Sequence, residues 1–197
     1  MPERGNPWTV LSATVRYENG WIRAVENDVV APQGTRTTYG TVQFKQLGVG
    51  VVAIDGAGRV LLVGQFRFGA GAYLWEICKG GRAPDEPPLD AAARELREEA
   101  GVTARRWIDL MGFRASPGLT DEHGTYFLAW DLEEGEASPD PQERLERRRV
   151  PFAEALAMVD RGAITDLGTV AALLKAWRMA ERGMLPDEVA ALILPPP

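Results

Sequence analysis

The sequence predicts an α+β fold in which a mixed β-sheet lies between layers of helices. Residues 47–54 form a nearly continuous apolar run, which is typical of a strand covered on both faces. Further strand-like segments dominate the centre of the chain, whereas helical periodicity is confined to one inserted segment and the C-terminal part. Such an order of elements favours a layered domain. With 197 residues, the chain can form one such domain with a small appendage.

The N-terminal part of the chain predicts a small antiparallel meander. Segments rich in Val, Thr and Tyr are separated by the turn sequences Glu18-Asn19-Gly20 and Pro32-Gln33-Gly34. The predicted strands are residues 9–17, 21–30 and 35–44. A small isolated sheet is marginally stable, so we expect this one to pack on another surface. We therefore divide the chain into an N-terminal strand region, residues 1–44, and a main domain, residues 45–197.

The main domain contains several further predicted strands after residues 47–54. Residues 60–66 follow the turn sequence Asp-Gly-Ala-Gly and are predicted to return as the hairpin partner of residues 47–54. The remaining predicted strands are residues 73–77, 107–114, 125–132 and 149–151. These strands supply the mixed sheet of the predicted fold.

Three helices are predicted, one inserted among the strands and two after them. The inserted helix, residues 87–100, begins with Pro87 and is followed by Gly101. Proline suits the first turn of a helix, and glycine suits the C-terminal cap. Residues 152–160 and 167–182 carry helical periodicity near the end of the chain.

The composition argues against several classes of partner. The net charge is −6, and Lys and Arg form no long block. Nucleic acid and anionic membranes are therefore poor partners. The densest basic cluster, residues 144–149, is interrupted by Glu146 and is interpreted as solvated surface. No run approaches the roughly 18 apolar residues of a membrane span, and the polar N-terminal residues do not resemble a signal peptide, so we expect a cytoplasmic protein.

Cysteine and histidine are too rare to form a site of their own. Cys78 is the only cysteine, so no internal disulfide can form, which suits a reducing compartment. No basic neighbour indicates an activated thiol, and Cys78 is interpreted as a small packing residue. His123 is the only histidine, which excludes a histidine-based metal cluster and favours a loop position.

The charged segment, residues 80–102, reads GGRAPDEPPLDAAARELREEAGV. On a helix, Glu95, Glu98 and Glu99 are three and four positions apart and project from one side. One interpretation is a solvated helix face with an ion pair between Arg94 and Glu98. Glu95 and Glu99 have the same spacing, however, and repel each other. A divalent metal such as Mg²⁺ prefers oxygen ligands and reverses the sign of that interaction, so the pattern favours a metal site for phosphate chemistry.

Nine positions of the charged segment match the pattern G-x5-E-x7-R-E-U-x-E-E-x-G-U, in which U is aliphatic. They are Gly80, Glu86, Arg94, Glu95, Leu96, Glu98, Glu99, Gly101 and Val102. This pattern is the signature of the Nudix hydrolases, and the sequence is identified as a member of that family. The resemblance implies an α/β/α sandwich in which the charged segment forms a loop, a helix and a loop. It also implies hydrolysis of a nucleoside diphosphate linked to another moiety.

By this resemblance, Glu95 and Glu99 are expected to be the principal ligands of Mg²⁺ or Mn²⁺. Glu98 is expected close by, as a further ligand and a catalytic residue, and a backbone carbonyl of Lys79 or Gly80 is expected to complete the ligands. Pyrophosphate is anionic and cannot approach these carboxylates unless a cation offsets the repulsion. The metal would also polarise the phosphoryl oxygens and lower the pKa of an attacking water.

The resemblance implies roles for other polar residues as well. Arg94 is expected to hold Glu98 in position, and Glu86 is expected to fix the loop at the opposite end of the charged segment. A glutamate in a mobile loop after the sheet is expected to act as general base or to position the water. Glu143 is the first candidate for this role and Glu146 the second, and simple solvation of the loop is the alternative for both.

Three segments resemble the ADP-ribose pyrophosphatase branch of the family. The sequence Gln-Phe-Arg that ends at Arg67 resembles a Q-Y-R segment whose arginine contacts substrate phosphate. Residues 75–80, WEICKG, are similar to L-E-L-P-A-G, with a cysteine in place of the proline. Residues 116–122, SPGLTDE, resemble S-P-G-x-S-x-E, which makes Pro117 and Glu122 candidates for substrate binding. Ser-Pro-Gly also predicts a turn, and both interpretations hold together.

The N-terminal strands carry an expectation about assembly. In the enzymes that the sequence resembles, these strands exchange between two subunits and form the pocket for the base, which implies a homodimer. Trp21 falls where such enzymes often have an aromatic residue that stacks on adenine, and such stacking is chemically reasonable. The alternative for Trp21 is a place in the core.

The expected reaction is therefore the metal-dependent hydrolysis of a nucleoside diphosphate sugar, with ADP-ribose giving AMP and ribose 5-phosphate as the first choice. Another sugar nucleotide such as GDP-mannose, or a dinucleotide, is the alternative within the family. A protein that keeps the fold as a ligand sensor without catalysis is the alternative from a different class. The three glutamates of the charged segment argue against it, because a sensor does not need them together.

Overall fold

The structure is a computed structural model, and it describes residues 5–138 and 144–194. Within these residues it contains ten strands, four α-helices and one short 3₁₀ turn at Phe68–Ala70. The strands are β1 (Thr9–Glu18), β2 (Ile22–Val30), β3 (Arg36–Phe44), β4 (Leu47–Ala53), β5 (Arg59–Arg67), β6 (Ala72–Glu76), β7 (Cys78–Arg82), β8 (Val102–Arg114), β9 (His123–Glu134) and β10 (Glu146–Pro151). The helices are α1 (Pro88–Ala100), α2 (Phe152–Asp160), α3 (Leu167–Glu181) and α4 (Asp187–Ile193).

The described chain divides into two compact units. The first unit comprises the residues up to Leu47 together with Arg114–His123. The second unit comprises Gly48–Phe113 and the residues from Gly124 onwards.

The first unit is a three-stranded antiparallel sheet in the order β1-β2-β3. The turn between β1 and β2 is closed by Asn19, whose Oδ1 accepts hydrogen bonds from the backbone N–H groups of Trp21 and Ile22. Asparagine is favoured in turns because its side chain can satisfy nearby backbone donors in this way. The antiparallel N-terminal strands that the sequence predicts are therefore confirmed.

Strand β1 is exposed along its whole length, on both faces. Its large apolar side chains include Val10, Val15 and Tyr17, which are 56%, 48% and 57% exposed. Strand β2 differs, because Val25 and Val29 are buried. An edge strand with exposed apolar side chains on both faces is unusual, since such strands pair readily with other chains.

Residues 114–123 join the first unit through strand β3. The backbone N–H of Val42 donates to the carbonyl of Leu119, and the N–H of Phe44 donates to the Asp121 carboxylate at 2.8 Å. The Tyr39 hydroxyl donates to the carbonyl of Gly118 at 2.6 Å. The Ser-Pro-Gly segment is thus a turn, as predicted, and is held by hydrogen bonds from β3.

The second unit contains two sheets, in the orders β10-β5-β6 and β7-β4-β9-β8. Strands β4 and β9 are parallel, from Gly48 opposite Gly124 to Ala53 opposite Ala129. Strand β5 is antiparallel to both of its neighbours. The predicted mixed character of the sheet structure is confirmed.

The predicted hairpin of residues 47–54 with residues 60–66 is wrong. Strands β4 and β5 lie in different sheets, and only the isolated bridge between Ile54 and Val60 joins these two segments. Both strands are buried on both faces and each has a neighbour on either side. A continuous apolar run indicates this kind of burial but not which strand lies beside it.

Helices cover both sides of the second unit's sheets. On one side, Val51 and Ala53 of β4 belong to the same apolar cluster as Ala92 and Leu96 of α1. On the other side, the alternate residue Val52 belongs to a cluster with side chains of α2, α3 and α4, namely Phe152, Ala155, Leu173, Ala176 and Val189. The alternation of side chains along a strand therefore creates the helix, sheet and helix layers that the sequence predicts.

Strand β7 and helix α4 are the elements that the sequence did not predict. Strand β7 contains Gly80 and Gly81 and has no apolar alternation, and α4 has only seven residues. Strand β8 begins at Val102, five residues before its predicted start. The prediction missed residues 103–106 because they are mostly polar and partly exposed. No helix in residues 5–138 or 144–194 is both long and apolar enough to cross a membrane.

Candidate active site

The charged segment folds as the end of strand β7, a loop and helix α1. Arg82 organises the loop, because its Nη1 donates to the carbonyls of Ala83, Pro84 and Glu86, the last at 2.8 Å. Helix α1 ends at Gly101, whose left-handed conformation, with φ of 70°, lets its N–H bond to the carbonyl of Arg97. Glycine adopts this conformation without the steric penalty of a side chain.

Arg94 connects the loop to the helix through one guanidinium group. Its Nε donates to Glu86 at 3.1 Å, and its Nη2 donates to the carbonyl of Gly81 at 2.9 Å. Its Nη1 donates to Glu95 at 2.8 Å and to Glu98 at 3.1 Å. The hydrogen bond to Glu86, together with those to the other two carboxylates, raises the pKa of Arg94, and Arg94 in turn holds the pKa of Glu86 below its ordinary value.

Glu99 is turned toward the strand that precedes the loop. Glu99 is only 3% exposed, and its Oε2 accepts a hydrogen bond from the backbone N–H of Lys79 at 3.0 Å. Cys78 lies beside it, and burial followed by the Glu99 carboxylate raises the pKa of the thiol well above its ordinary value. Cys78 therefore stays a neutral packing residue, in agreement with its sequence interpretation.

The backbone of Gly80 lies directly against the Glu95 carboxylate. A Cβ atom at Gly80 would overlap the carboxyl carbon and both oxygens of Glu95. Only glycine therefore allows the main chain of β7 and this carboxylate to approach each other so closely. The approach brings the Glu95 carboxylate against the main chain of β7, and carboxylate oxygens suit a hard divalent cation.

The side chains of this region are arranged as ion pairs. In the part of the chain that the structure describes, no group of three or more His, Cys, Asp or Glu side chains converges as a metal cluster. The positions of the carboxylates explain this result, because Arg94 draws Glu95 and Glu98 to itself while Glu99 faces the Lys79 N–H. A cation that binds here must compete with Arg94 for Glu95 and Glu98.

A second polar network lies beside the charged segment and was not predicted from the sequence. Glu76, which is 1% exposed, accepts from Arg67 Nε at 2.8 Å on one oxygen and from Lys79 Nζ at 3.0 Å on the other. Lys79 Nζ also donates to Asp166 at 2.5 Å. Two cations and two carboxylates therefore balance each other in a partly buried position, where unpaired charges would be strongly unfavourable.

Asp166 also begins helix α3. Its Oδ2 accepts from the backbone N–H of Thr169 at 2.8 Å and from the Thr169 hydroxyl at 2.7 Å. Burial opposes ionisation of Asp166, but Lys79 and the two donors of Thr169 together hold the pKa of its carboxyl below the ordinary value. The sequence did contain a signal for this cap, since aspartate three residues before a threonine at the start of an apolar helix is a common N-cap pattern.

The remaining predicted site residues lie elsewhere. Trp21 is 64% exposed in the first unit, so the alternative that it is a core tryptophan is wrong. Pro117 is exposed in the turn held by β3, and the carbonyl of Glu122 accepts the N–H of Ala115. Glu146 is the first residue of β10, and Glu143 lies outside the described residues.

A cavity of about 630 Å³ lies where β10 begins. It is lined by Gln65, Phe66, Tyr73, Arg144, Leu145 and Glu146. Burial and the adjacent Glu146 carboxylate raise the pKa of Tyr73, while Arg148 opposes this shift. The cavity is therefore bordered by the second candidate for the loop base and by the strand that carries Arg67.

Comparison with known proteins places this geometry in a family. The family model of the NUDIX domain matches residues 44–173. An ADP-ribose pyrophosphatase of Mycobacterium tuberculosis is 34% identical over 169 residues, which cover 84% of this chain and 81% of that protein. An ADP-ribose pyrophosphatase of Bacillus subtilis is 32% identical over 148 residues, which cover 74% of this chain and 80% of that protein.

The fold is shared with a solved structure as well. The crystal structure of an ADP compounds hydrolase superimposes with a TM-score of 0.82 at 22% sequence identity. The superposition covers 93% of this chain and all of that one. At this identity, the likeness concerns the fold.

Proposed function

The chain belongs to the Nudix family, and we propose that it is a pyrophosphohydrolase that converts ADP-ribose to AMP and ribose 5-phosphate. The family assignment made from the charged segment is confirmed, and so is its consequence that the protein is a Nudix pyrophosphohydrolase. The choice of ADP-ribose is supported by the two relatives that bear the name ADP-ribose pyrophosphatase.

One structural observation carries the proposal more than any other. Glu95, Glu98 and Glu99 lie in the C-terminal half of α1, where Glu95 approaches the backbone of Gly80 and Arg94 binds Glu95 and Glu98. Such a concentration of carboxylates opposes the binding of an anionic pyrophosphate unless a cation lies between them. The arrangement is therefore suited to a substrate that brings phosphate groups together with a divalent metal.

Nudix hydrolases generally need divalent metal ions, and we propose Mg²⁺ or Mn²⁺ for this one. Glu95 and Glu99 would hold it, with Glu98 nearby and a carbonyl of Lys79 or Gly80 as a further oxygen donor. When bound, such a metal offsets phosphate charge and lowers the pKa of water, which is the chemistry that the hydrolysis requires.

The protein's own residues would orient the reaction. Arg94 orients the carboxylates of Glu95 and Glu98 by hydrogen bonds, and Glu86 in the loop orients Arg94 in the same way. Arg67 bonds to Glu76 through Nε and Nη2, and we propose that Nη1, which takes no part in that pair, contacts a substrate phosphate. A guanidinium held by a carboxylate is already oriented before substrate arrives.

A substrate panel tests the proposed activity. We expect hydrolysis of ADP-ribose with kcat/KM at least about tenfold above that for GDP-mannose, ADP-glucose, NADH, diadenosine polyphosphates and nucleoside triphosphates. Each substrate is assayed with Mg²⁺ and with Mn²⁺, and products are separated by chromatography. Preference for a triphosphate would overturn the substrate assignment but not the family. No hydrolysis of any member would favour the ligand sensor.

The metal ligands are tested without substrate. Glu95→Gln and Glu99→Gln each remove a charged oxygen donor, so we expect Mn²⁺ affinity in calorimetry to fall more than about tenfold. Glu154→Gln, on helix α2 and exposed, is the control and should bind Mn²⁺ as the wild type does. Undiminished Mn²⁺ binding in both site variants would refute the ligand assignment.

Glu143 is proposed as the residue that activates or positions water, and Glu146 is the second candidate. We expect Glu143→Gln to lower kcat for ADP-ribose by about a hundredfold while KM changes little, because the residue acts in the transition state. Glu146→Gln serves as the matched comparison, since Glu146 lies at the cavity beside Tyr73. The larger kcat loss identifies the base, and near-normal turnover in Glu143→Gln eliminates it.

We also propose that residues 1–44 mediate a homodimer and that the first unit binds the base. Strand β1 supports this idea through its exposed Val15 and Tyr17. A cavity of about 270 Å³ in the same unit contains the edge-to-face pair of Trp8 and Tyr39, with ring centroids 5.4 Å apart. Together with exposed Trp21 and the Pro117 and Glu122 turn, this unit offers aromatic and polar groups for a nucleoside.

Light scattering tests the dimer. We expect the mass of two chains for the wild type and a shift toward monomer for Val15→Lys, which puts a charge into the proposed interface. Leu174→Lys is the control, because Leu174 is similarly exposed, at 41%, on helix α3. A stable wild-type monomer contradicts the proposal.

A cytoplasmic location, consistent with the single cysteine, also stays a prediction that cell fractionation would test.

A further inference from the structure

A ring of hydrogen bonds, closed by the main chain, joins the start of helix α3 to residues 77–79 at the start of β7. The backbone N–H of Ile77 donates to the Thr169 hydroxyl at 3.1 Å, and that hydroxyl donates to Asp166 Oδ2 at 2.7 Å. Asp166 Oδ1 accepts from Lys79 Nζ at 2.5 Å. The ring thus begins and ends on residues 77–79, and it connects them to a helix 92 residues further along the chain.

The ring uses more bonds than a helix cap needs. An N-cap requires only that the Asp166 carboxylate accept the N–H of Thr169. Here the second oxygen of the carboxylate binds Lys79, and the hydroxyl of Thr169 reaches the N–H of Ile77. Thr169 and Ile77 are both fully buried. A buried donor that loses its acceptor is strongly unfavourable, so these bonds fix the position of residues 77–79.

Residues 77–79 lead directly into the candidate metal site. The backbone N–H of Lys79 donates to Glu99, and the next residue, Gly80, lies against the Glu95 carboxylate. The ammonium of Lys79 also contacts Glu76, which holds Arg67. A shift of this short segment would therefore move the partners of Glu99, Glu95 and Arg67 together.

The start of helix α3 is itself held in place. A Cβ atom at Gly168 would overlap the hydroxyl of Tyr126, and the Tyr126 ring stacks on Phe113 with centroids 4.5 Å apart. The helix end that carries Thr169 therefore packs closely against Tyr126 of strand β9. This packing supports the helix end to which residues 77–79 are bonded.

We propose that Asp166 and Thr169 are positioning residues for the hydrolysis. They act through Lys79 and Ile77, and they hold the main chain of residues 77–79 so that Glu99 and Glu95 face a divalent cation. The inference rests on the proposed function, since it concerns the metal site of that reaction. Neither residue belongs to the charged segment, and neither would touch the substrate.

Thr169→Val tests the proposal, because valine keeps the shape of threonine and removes only the hydroxyl. We expect Mn²⁺ affinity in calorimetry to fall about tenfold or more, which is the size expected when a partner of a metal ligand is lost. We expect kcat for ADP-ribose to fall at least about tenfold with KM within about threefold of the wild type. Thr169→Ser restores the hydroxyl and should return both quantities to within about twofold.

Ile164→Val is the matched control for a loss of stability alone. Ile164 is 1% exposed and precedes helix α3, but its side chain is apolar and has no place in the ring. Its substitution should lower Tm as much as Thr169→Val does while leaving Mn²⁺ affinity and kcat unchanged. If Thr169→Val behaves in the same way as Ile164→Val, the ring is only a structural cap and the proposal is overturned.

The ionic half of the ring is tested by a double-mutant cycle. Asp166→Asn and Lys79→Met each break the same contact, so the double variant should weaken Mn²⁺ binding no more than the stronger single variant. Additive effects would show that the two residues act separately and would contradict the ring. The two proposals can fail separately. If the wild type hydrolyses no substrate, the proposed activity is refuted. If Thr169→Val nevertheless binds Mn²⁺ more weakly than the wild type, the positioning role is still supported.

Discussion

Mutual repulsion among three carboxylates on about one and a half turns of helix α1 is the constraint on which the site depends. Arg94 offsets it by bonding to Glu95 and Glu98 at once, and it extends the same guanidinium to Glu86. Glu99 instead points toward strand β7, where its carboxylate is buried against the Lys79 N–H. These contacts offset part of the repulsion, and the helix keeps the carboxylates that a metal would require.

The surrounding structure supports this arrangement from both sides. Apolar residues such as Leu96 anchor α1 to one layer of the core, which fixes the face that carries the glutamates. The opposite layer, with Leu173 and Ala176, anchors α3 and so fixes Asp166 and Thr169. Strands β4 and β5 contribute to both layers, because alternate side chains point to opposite faces. The core thus positions α1 and α3, which are far apart in the sequence, at the two ends of one polar network.

Much of this could be predicted from the sequence because the relevant signals are local. Gly101 predicted the end of α1, and the spacing of Glu95, Glu98 and Glu99 predicted a shared face. Strand order could not be predicted in the same way, since the burial of β4 and β5 is the same in a hairpin as in two separate sheets. Strand β7 was missed because its glycines weaken the sequence signal of a strand. Gly80 is required there because the Glu95 carboxylate lies too close to leave room for a side chain.

The ring between Ile77 and Thr169 spans 92 residues, and this distance has a consequence for biosynthesis. All nine residues of the family signature have been synthesised by Val102, but the support for residues 77–79 is absent until Thr169 has emerged and docked. Long-range contacts of this kind form late, because the intervening chain must first be ordered. Under the proposed positioning role, a growing chain therefore carries a complete signature before its site is organised, and activity would require the completed domain.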